Sequence, residues 1–578
     1  MSELKDHKPV TPVEMSAFTP PSVLADGGMD GAKRTSRETA TWNPPTFISP
    51  DTLLNGDKPL ADARGKDLAL NDGYIAGAIH TNRDSIIGTS YSVNSQVDHE
   101  MVKQLLESSG ADWAEGITIT RAWAEKFQSY VERLFNLTAN SQQRWLDAAR
   151  RNTLAEQLRL AVTTHMLTGE VLASVEWIRE DDRPFHTAIQ MIDPSRLCNP
   201  NMEADTTLIR AGVERDANWG KPVAYWIRNG FPLDPYNNDY NWTRVPAFKP
   251  WGRKQIIHIA EQFAVDQTRG VSELVSAMKE MRITKRFRDV TLQNAVLSAT
   301  YAAAIETELP REMIAGMMGA APGSSDQVVT DAVGAWMSGL GQYQKGMGDI
   351  KLDGVKIPVL YPGTKFNTHT VGTPGGVGTG FEESLIRNIA ATLGMSYEQF
   401  ARDFSKTNYS SARASMSETQ KRMDSKKKLV ADAYATDVFA VWMEEQISMG
   451  KLPLPNNCTA DQFASMFYLP MMKEALTACS WIGASRGQID ELKETQAAIL
   501  RINSGLSTYE KESSRLGEDF RYLFAQRARE NKLMEGLELD FTGGATKPGA
   551  NMRQQTITKS GGSSKEDDTQ EEDDDKEE

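Results

Sequence analysis

The chain has 578 residues and a mass of 64.1 kDa, enough for about four units of ~150 residues, or fewer with long helices. Hydrophobic residues make up 40% and charged residues 25%, which excludes bulk disorder, collagen and low-complexity classes. The formal charge is −14, but Lys565 to Glu578 holds ten carboxylates and two lysines and so carries −8, leaving −6 on the other 564 residues; that near balance argues against a basic protein held to nucleic acid by counterion release.

In chain order, residues 1–60 are rich in Pro, Ser, Thr, Asp and Gly without a period and read as an extended arm, with Trp42 and Pro44-Pro45 as its docking points. Ala61 to Ile87 fits one helix or two with a break at Gly73, and a second helical block runs from about Trp123 to Leu167. Period-2 segments follow at Glu170–Trp177, His186–Ile192, Val223–Ile227 and Gln255–Ile259, which predict antiparallel strands of an α+β body. Ser272 to about Leu297 reads as a long helix. Between Leu309 and Gly380 the spacing predicts a helical piece near Gln327–Trp336, β structure at Val355–Tyr361 and a flexible connection at Gly375–Gly380. A compact helix then covers Phe381–Leu393, stopped by Gly394, and Ser411–Ser448 reads as one very long helix. Gln488–Ile502 and Thr508–Asn531 predict a C-terminal helical subdomain, and from Thr542 the chain is assigned to disorder. The fold class is α+β, predominantly helical.

Three scattered cysteines, Cys198, Cys458 and Cys479, give neither a disulfide framework nor a metal clip and fit a reducing compartment. The N-terminus lacks the apolar core of a signal peptide, and no stretch approaches the ~18 apolar residues of a membrane span, so a soluble intracellular protein with no membrane partner is expected. The seven histidines never occur at metal-ligand spacing, and the sequence calls for no cofactor. Gly483-Ala484-Ser485-Arg486-Gly487 matches a nucleophile elbow, but the last histidine is His369, so Ser485 has no downstream base and a turn leading into a helix is the better reading. Two basic clusters stand out: Lys279, Arg282, Lys285, Arg286 and Arg288, and then Arg413, Lys421, Arg422, Lys426, Lys427 and Lys428. Each is either a solvated helix face or a surface for phosphate or intersubunit contact.

Collinear segments then carry a resemblance over roughly residues 40–540. They include Asn71-Asp72-Gly73-Tyr74, Gly169-Glu170, Asp193-Pro194-Ser195-Arg196, Asp266-Gln267-Thr268-Arg269-Gly270, Gly394-Met395-Ser396-Tyr397-Glu398-Gln399-Phe400, Asn408-Tyr409-Ser410-Ser411-Ala412-Arg413 and Trp481-Ile482-Gly483. In these the chain resembles the portal proteins of tailed bacteriophages, lambda type. The resemblance implies a portal-type ring subunit, usually one of twelve, at the unique capsid vertex. DNA would be packaged through it by the terminase and later leave through it, the portal itself being no enzyme. It implies an arm at 1–60, a wing at 61–269, a first stem helix at 270–297, a clip at 298–380, a second stem helix at 381–395 and a tunnel loop at 396–409. The long helix and the rest of the wing would occupy 410–488, the crown 489–541 and a disordered acidic tail 542–578. Gln399, Arg402, Ser405, Lys406 and Asn408 would face double-stranded DNA, with Glu398 and Asp403 offsetting the cations so that DNA can slide. The stem cations Lys279, Arg282, Lys285, Arg286 and Arg288 would serve the subunit interface or the channel. Implied partners are further copies of the chain, the large terminase subunit, major capsid and scaffold proteins, and head-completion or tail-connector proteins, in the virion and, during assembly, the host cytoplasm. The competing readings are a non-conduit scaffold or adaptor protein and a hydrolase.

Overall fold

The computed structural model describes residues 41, 44–231, 233–237, 239–301, 338, 350–352, 355–357, 378–405, 407–485, 487, 490–537 and 539. Helix α1 (Pro50–Leu54) is started by Ser49, whose Oγ accepts from the Thr52 amide. Pro44 and Pro45 are exposed rather than docked, and Trp42 lies outside the described residues. The arm is tied down instead by Asp51, which is buried and accepts from Arg210, Arg215 and the Thr268 amide and hydroxyl. Helices α2 (Lys58–Asn71) and α3 (Gly73–Ile86) follow. They separate at Asp72, whose carboxylate accepts from the Tyr74 and Ile75 amides and so caps a new helix.

After β1 (Ser92–Ser95) and α4 (His99–Ser108) come α5 (Arg121–Ala139) and α6 (Leu154–Thr168). The single block expected at Trp123–Leu167 is interrupted because the Asp147 carboxylate gathers the amides of Ala149, Arg151 and Asn152 into a turn. The sheets comprise β2 (Glu170–Trp177), β3 (Thr187–Ile192), β4 (Ile209–Arg210), β5 (Val213–Arg215), β6 (Pro222–Arg228), β7 (Trp242–Pro246) and β8 (Ile256–Ala260). They pair antiparallel in the orders β3-β2-β8 and β4-β5-β6-β7, and the four predicted strands lie within one residue of observed ones.

Helix α7 (Met278–Tyr301) starts later than the 270 expected. Ser272 Oγ donates to the Met166 carbonyl at 2.9 Å and accepts from the Leu274 amide, which holds the approach to the helix as a turn. Gly270 is pressed against α6's end, where an added Cβ would lie 2.0 Å from the Gly169 carbonyl oxygen. Gly270→Ala should therefore cost about 2 kcal/mol by overpacking, read from urea unfolding. Gly380→Ala, whose Cβ would meet nothing, should be neutral or slightly stabilising.

Strand β9 (Ile350–Leu352) pairs antiparallel with β10 (Val355–Ile357); β10 opens the predicted stretch Val355–Tyr361, β9 precedes it, and residues 358–361 lie outside the described residues. The helix predicted near Gln327–Trp336 and glycines 375–377 lie outside the described residues. Gly378–Gly380 do not form a flexible connection: they are the first turn of α8 (Gly378–Thr392). Then come α9 (Tyr397–Ala401), α10 (Tyr409–Lys426), a π-helical turn (Lys427–Asp432) and α11 (Ala433–Ser448). The last three make the predicted long helix, about 60 Å at 1.5 Å per residue. Its π register is held by Lys427, whose Nζ donates to Asp432 Oδ1, five residues on, at 2.8 Å and to the Trp481 carbonyl at 2.9 Å.

Helices α12 (Ala460–Phe467) and α13 (Met472–Leu476) lead to β11 (Cys479–Ile482), which pairs antiparallel with β1. The chain ends in α14 (Glu491–Asn503), α15 (Tyr509–Arg515) and α16 (Phe520–Gly536). The core gathers where α5, α11 and β11 meet: Phe135 lies 5.0 Å from both Phe439 and Trp442, and 5.9 Å from Trp481, ring to ring. Among the described residues no helix is long and apolar enough to cross a membrane.

Candidate functional site

The segment Ser396–Tyr409 is not a free loop throughout. Ser396 caps α9 by accepting from the Gln399 amide, and the apolar side of this short helix buries Phe400. The Phe400 ring stacks on Tyr74 of α3, with centroids 5.6 Å apart and an interplanar angle of 14°. Gln399, expected on a DNA-facing loop, therefore sits on a docked helix, part-buried, with its Oε1 buried and without a donor among the described residues. Arg402 closes α9 in the left-handed region, φ 57°, and donates to Thr81 Oγ1 at 2.8 Å. Ser405 donates to Asp403, and Asn408 is spent on capping α10 through the Ser411 amide. Both are exposed, as is Arg402; Lys406 lies outside the described residues.

The five cations on α7 divide into two groups. Lys279, Arg282 and Arg286 occupy its exposed side. Lys285 and Arg288 turn inward: Lys285 donates to the Asn71 carbonyl at 2.9 Å, while Arg288 lies over the Tyr74 ring at 4.8 Å, between Asp72 at 3.9 Å and Glu382 at 3.7 Å. Opposite charges across α7 and α8 are supplemented by Asn388, which donates to Glu280, and by Phe287 against Phe381 at 5.7 Å.

The second basic cluster is largely structural. Lys426 and Arg422 both reach Glu273, at 2.5 and 3.4 Å, Lys427 holds the π turn, and Lys421 pairs with Glu418 one turn away. Arg413 and Lys428 are the members of that group that stay exposed without a close ion pair among the described residues, Arg413 acting on Asp490 only through its field.

What the sequence did not bring together is a buried ionic hub. Glu170, at 0% exposure, accepts from Arg269 Nε at 2.9 Å, lies 3.2 Å from Lys58 Nζ and 3.1 Å from His258 Nε2. Arg269 also donates to the carbonyls of Pro194, Leu197 and Ala211. Burial pushes the Glu170 carboxyl up, but Arg269 and Lys58 outweigh it and hold it well below the usual range. Asp62, on the far side of Lys58, is pushed up to about 6 by burial. Three of the collinear sequence segments thus converge here: Gly169-Glu170, Asp193-Pro194 and Thr268-Arg269-Gly270.

His165, Glu261 and Glu273 also converge, with ring-to-carboxylate distances of 3.6 and 3.8 Å. The cation that balances them is the buried Lys426 ammonium, so the group fits an ion pair rather than a metal. Ser485 follows β11 and lies against Gly517; Arg486, Gln488 and Ile489, on which the expected turn into a helix depends, lie outside the described residues.

A family model described as phage portal protein, lambda family, matches residues 35–427. The portal protein B of Escherichia phage lambda is 31% identical over 89% of this chain and 93% of its own length. The portal protein of Escherichia phage N15 is 33% identical over 85% and 87%. The solved neck of an empty gene transfer agent particle covers 84% of this chain and 99% of its own at 11% identity, with a TM-score of 0.33.

Proposed function

This chain belongs to the lambda family of phage portal proteins, and from that membership we propose that it forms a ring, usually of twelve copies, at one capsid vertex. DNA enters through the ring under the terminase and leaves through it at ejection. As a portal protein it is a component of the virion; its assembly takes place in the host cytoplasm with scaffold and capsid proteins. It performs no catalysis of its own. The observation that carries this reading is the family match across 35–427 together with relatives aligned over almost their whole length.

In this reading residues 61–269 and 410–488 form the wing, 270–297 and 381–395 the stem, 298–380 the clip and 489–541 the crown. Self-association is supported by the C-terminal helices. Neither α14 nor α16 buries a single residue, although their Leu492, Leu500 and Leu533 are apolar and well over half exposed. Helices of this length gain little stability without a packed face, and a neighbouring copy would supply one. A cyclic assembly needs two complementary patches per subunit, and the exposed Lys279, Arg282 and Arg286 offer a second.

Rotationally averaged negative-stain microscopy, with the mass in solution, tests the ring: about twelve subunits around an axial hole are expected. A monomer that persists with scaffold and capsid protein present would favour an adaptor instead. For the loop, Arg402→Glu combined with Lys406→Glu should leave the ring intact and lower nuclease-protected DNA per particle about tenfold, through phosphate repulsion. Full packaging by this variant would remove the loop from the DNA path.

A further inference from the structure

The Tyr74 ring of α3 meets side chains of both α7 and α9: the Arg288 guanidinium of α7 sits 4.8 Å from its centroid, and the Phe400 ring of α9 stacks on it at 5.6 Å and 14°. Both neighbours are constrained. Arg288 is oriented by Asp72 and Glu382, and Asp72 in turn caps the helix that carries Tyr74. Phe400 is buried, and two residues later Arg402 is bonded to Thr81, two turns along the same α3 face as Tyr74.

Little free space separates these groups. The cavity lined by Asp72, Tyr74, Arg288, Phe400, Met281 and Ile386 measures about 10 Å³, room for a single water at most. Close-packed contacts of this kind pass a displacement on instead of absorbing it. Cation–π and aromatic stacking contacts, each worth about 1 kcal/mol when partly desolvated, add a preferred geometry that simple burial lacks.

We propose that Tyr74 is a positioning residue that couples α7 to the base of the Ser396–Tyr409 loop, so that the Arg288 side of the stack sets how firmly α9 is docked. The inference rests on the proposed role of this loop in facing DNA, and it gives that role a control: movement of the stem would change the order of the loop through one ring.

The test is hydrogen exchange at the amides of residues 397–405 in the full-length protein without DNA. Arg288→Met, on a different helix from the loop, should speed their exchange about tenfold while the amides of α5 and α11 stay unchanged. Tyr74→Phe should match the parent chain, since the stack is kept. Tyr74→Leu should speed exchange equally, and adding Arg288→Met to it should produce no further change, because the coupling has already been cut. Unchanged loop exchange in Arg288→Met, a full additive effect in the double variant, or acceleration spread equally over α5 and α11 would each overturn the proposal. The packaging assay of the charge-reversed loop is separate: full packaging there would sink the DNA-facing role while leaving the measured coupling intact.

Discussion

Glu170→Gln is expected to destabilise the α+β body by about 3–5 kcal/mol, the cost of leaving buried charge without its counter-ion. The substitution is nearly isosteric, so packing is kept and the effect is electrostatic. Arg269 at 4% side-chain exposure would lose the anion it faces, while Lys58 at 6% would keep only Asp62, 3.1 Å away, and Arg269 cannot neutralise itself by releasing its proton. The carbonyls of Pro194, Leu197 and Ala211 continue to satisfy its donors but bring no negative charge. Chemical denaturation reads the loss directly. Replacing both partners, Glu170→Met with Arg269→Met, should be less harmful than the sum of the single changes, because no unpaired charge is left behind. Equal or greater loss in the double variant would mean that the hub stabilises by packing alone.

Strand β2 was legible as a short period-2 segment, although six of its eight residues turn out to be buried in succession because both of its faces are covered. The long helix from Tyr409 was legible for the opposite reason, a run free of Gly and Pro. The hub was not legible: Glu170 and Arg269 are 99 residues apart, and nothing in either local sequence announces the other. Their segments stood out only as shared family pattern, and the structure gives that pattern a physical cause. The same holds for β1 and β11, four-residue strands whose pairing joins Ser92 to Ile482. At the loop, composition suggested a polar connection, whereas Phe400, one of two phenylalanines in Ser396–Tyr409, is buried and docks α9 onto Tyr74. That aromatic was the available signal. The interruption at residues 140–153 was not legible because one side chain, Asp147, replaces the helix's own hydrogen-bonding.

Acidification should weaken the junction between α6, the approach to α7 and the long helix through Glu273. Burial alone would raise this carboxyl, but the His165 ring and the Lys426 ammonium outweigh it and bring it down to about 2. A carboxyl held below its unfolded value stabilises the fold fully above about pH 4.5 and loses that contribution as pH falls toward about 2. The contribution is about 2–3 kcal/mol once the burial of Lys426, which pulls its own amine down against the pull of Glu273, is set against it. Asp62 acts with the opposite sign and in a higher window: its carboxyl is pushed up to about 6, so protonation there relieves a penalty as pH falls toward 4. Stability should therefore hold or rise slightly from pH 6 to about 4 and fall below it. Glu273→Gln should lower stability at neutral pH, since Lys426 is left buried beside an uncharged amide, and should flatten the decline below pH 4. Urea midpoints measured across that range check both parts. A variant with the parent chain's acid dependence would show that another carboxylate governs the transition, and that Lys426 is balanced from elsewhere at the start of the π turn.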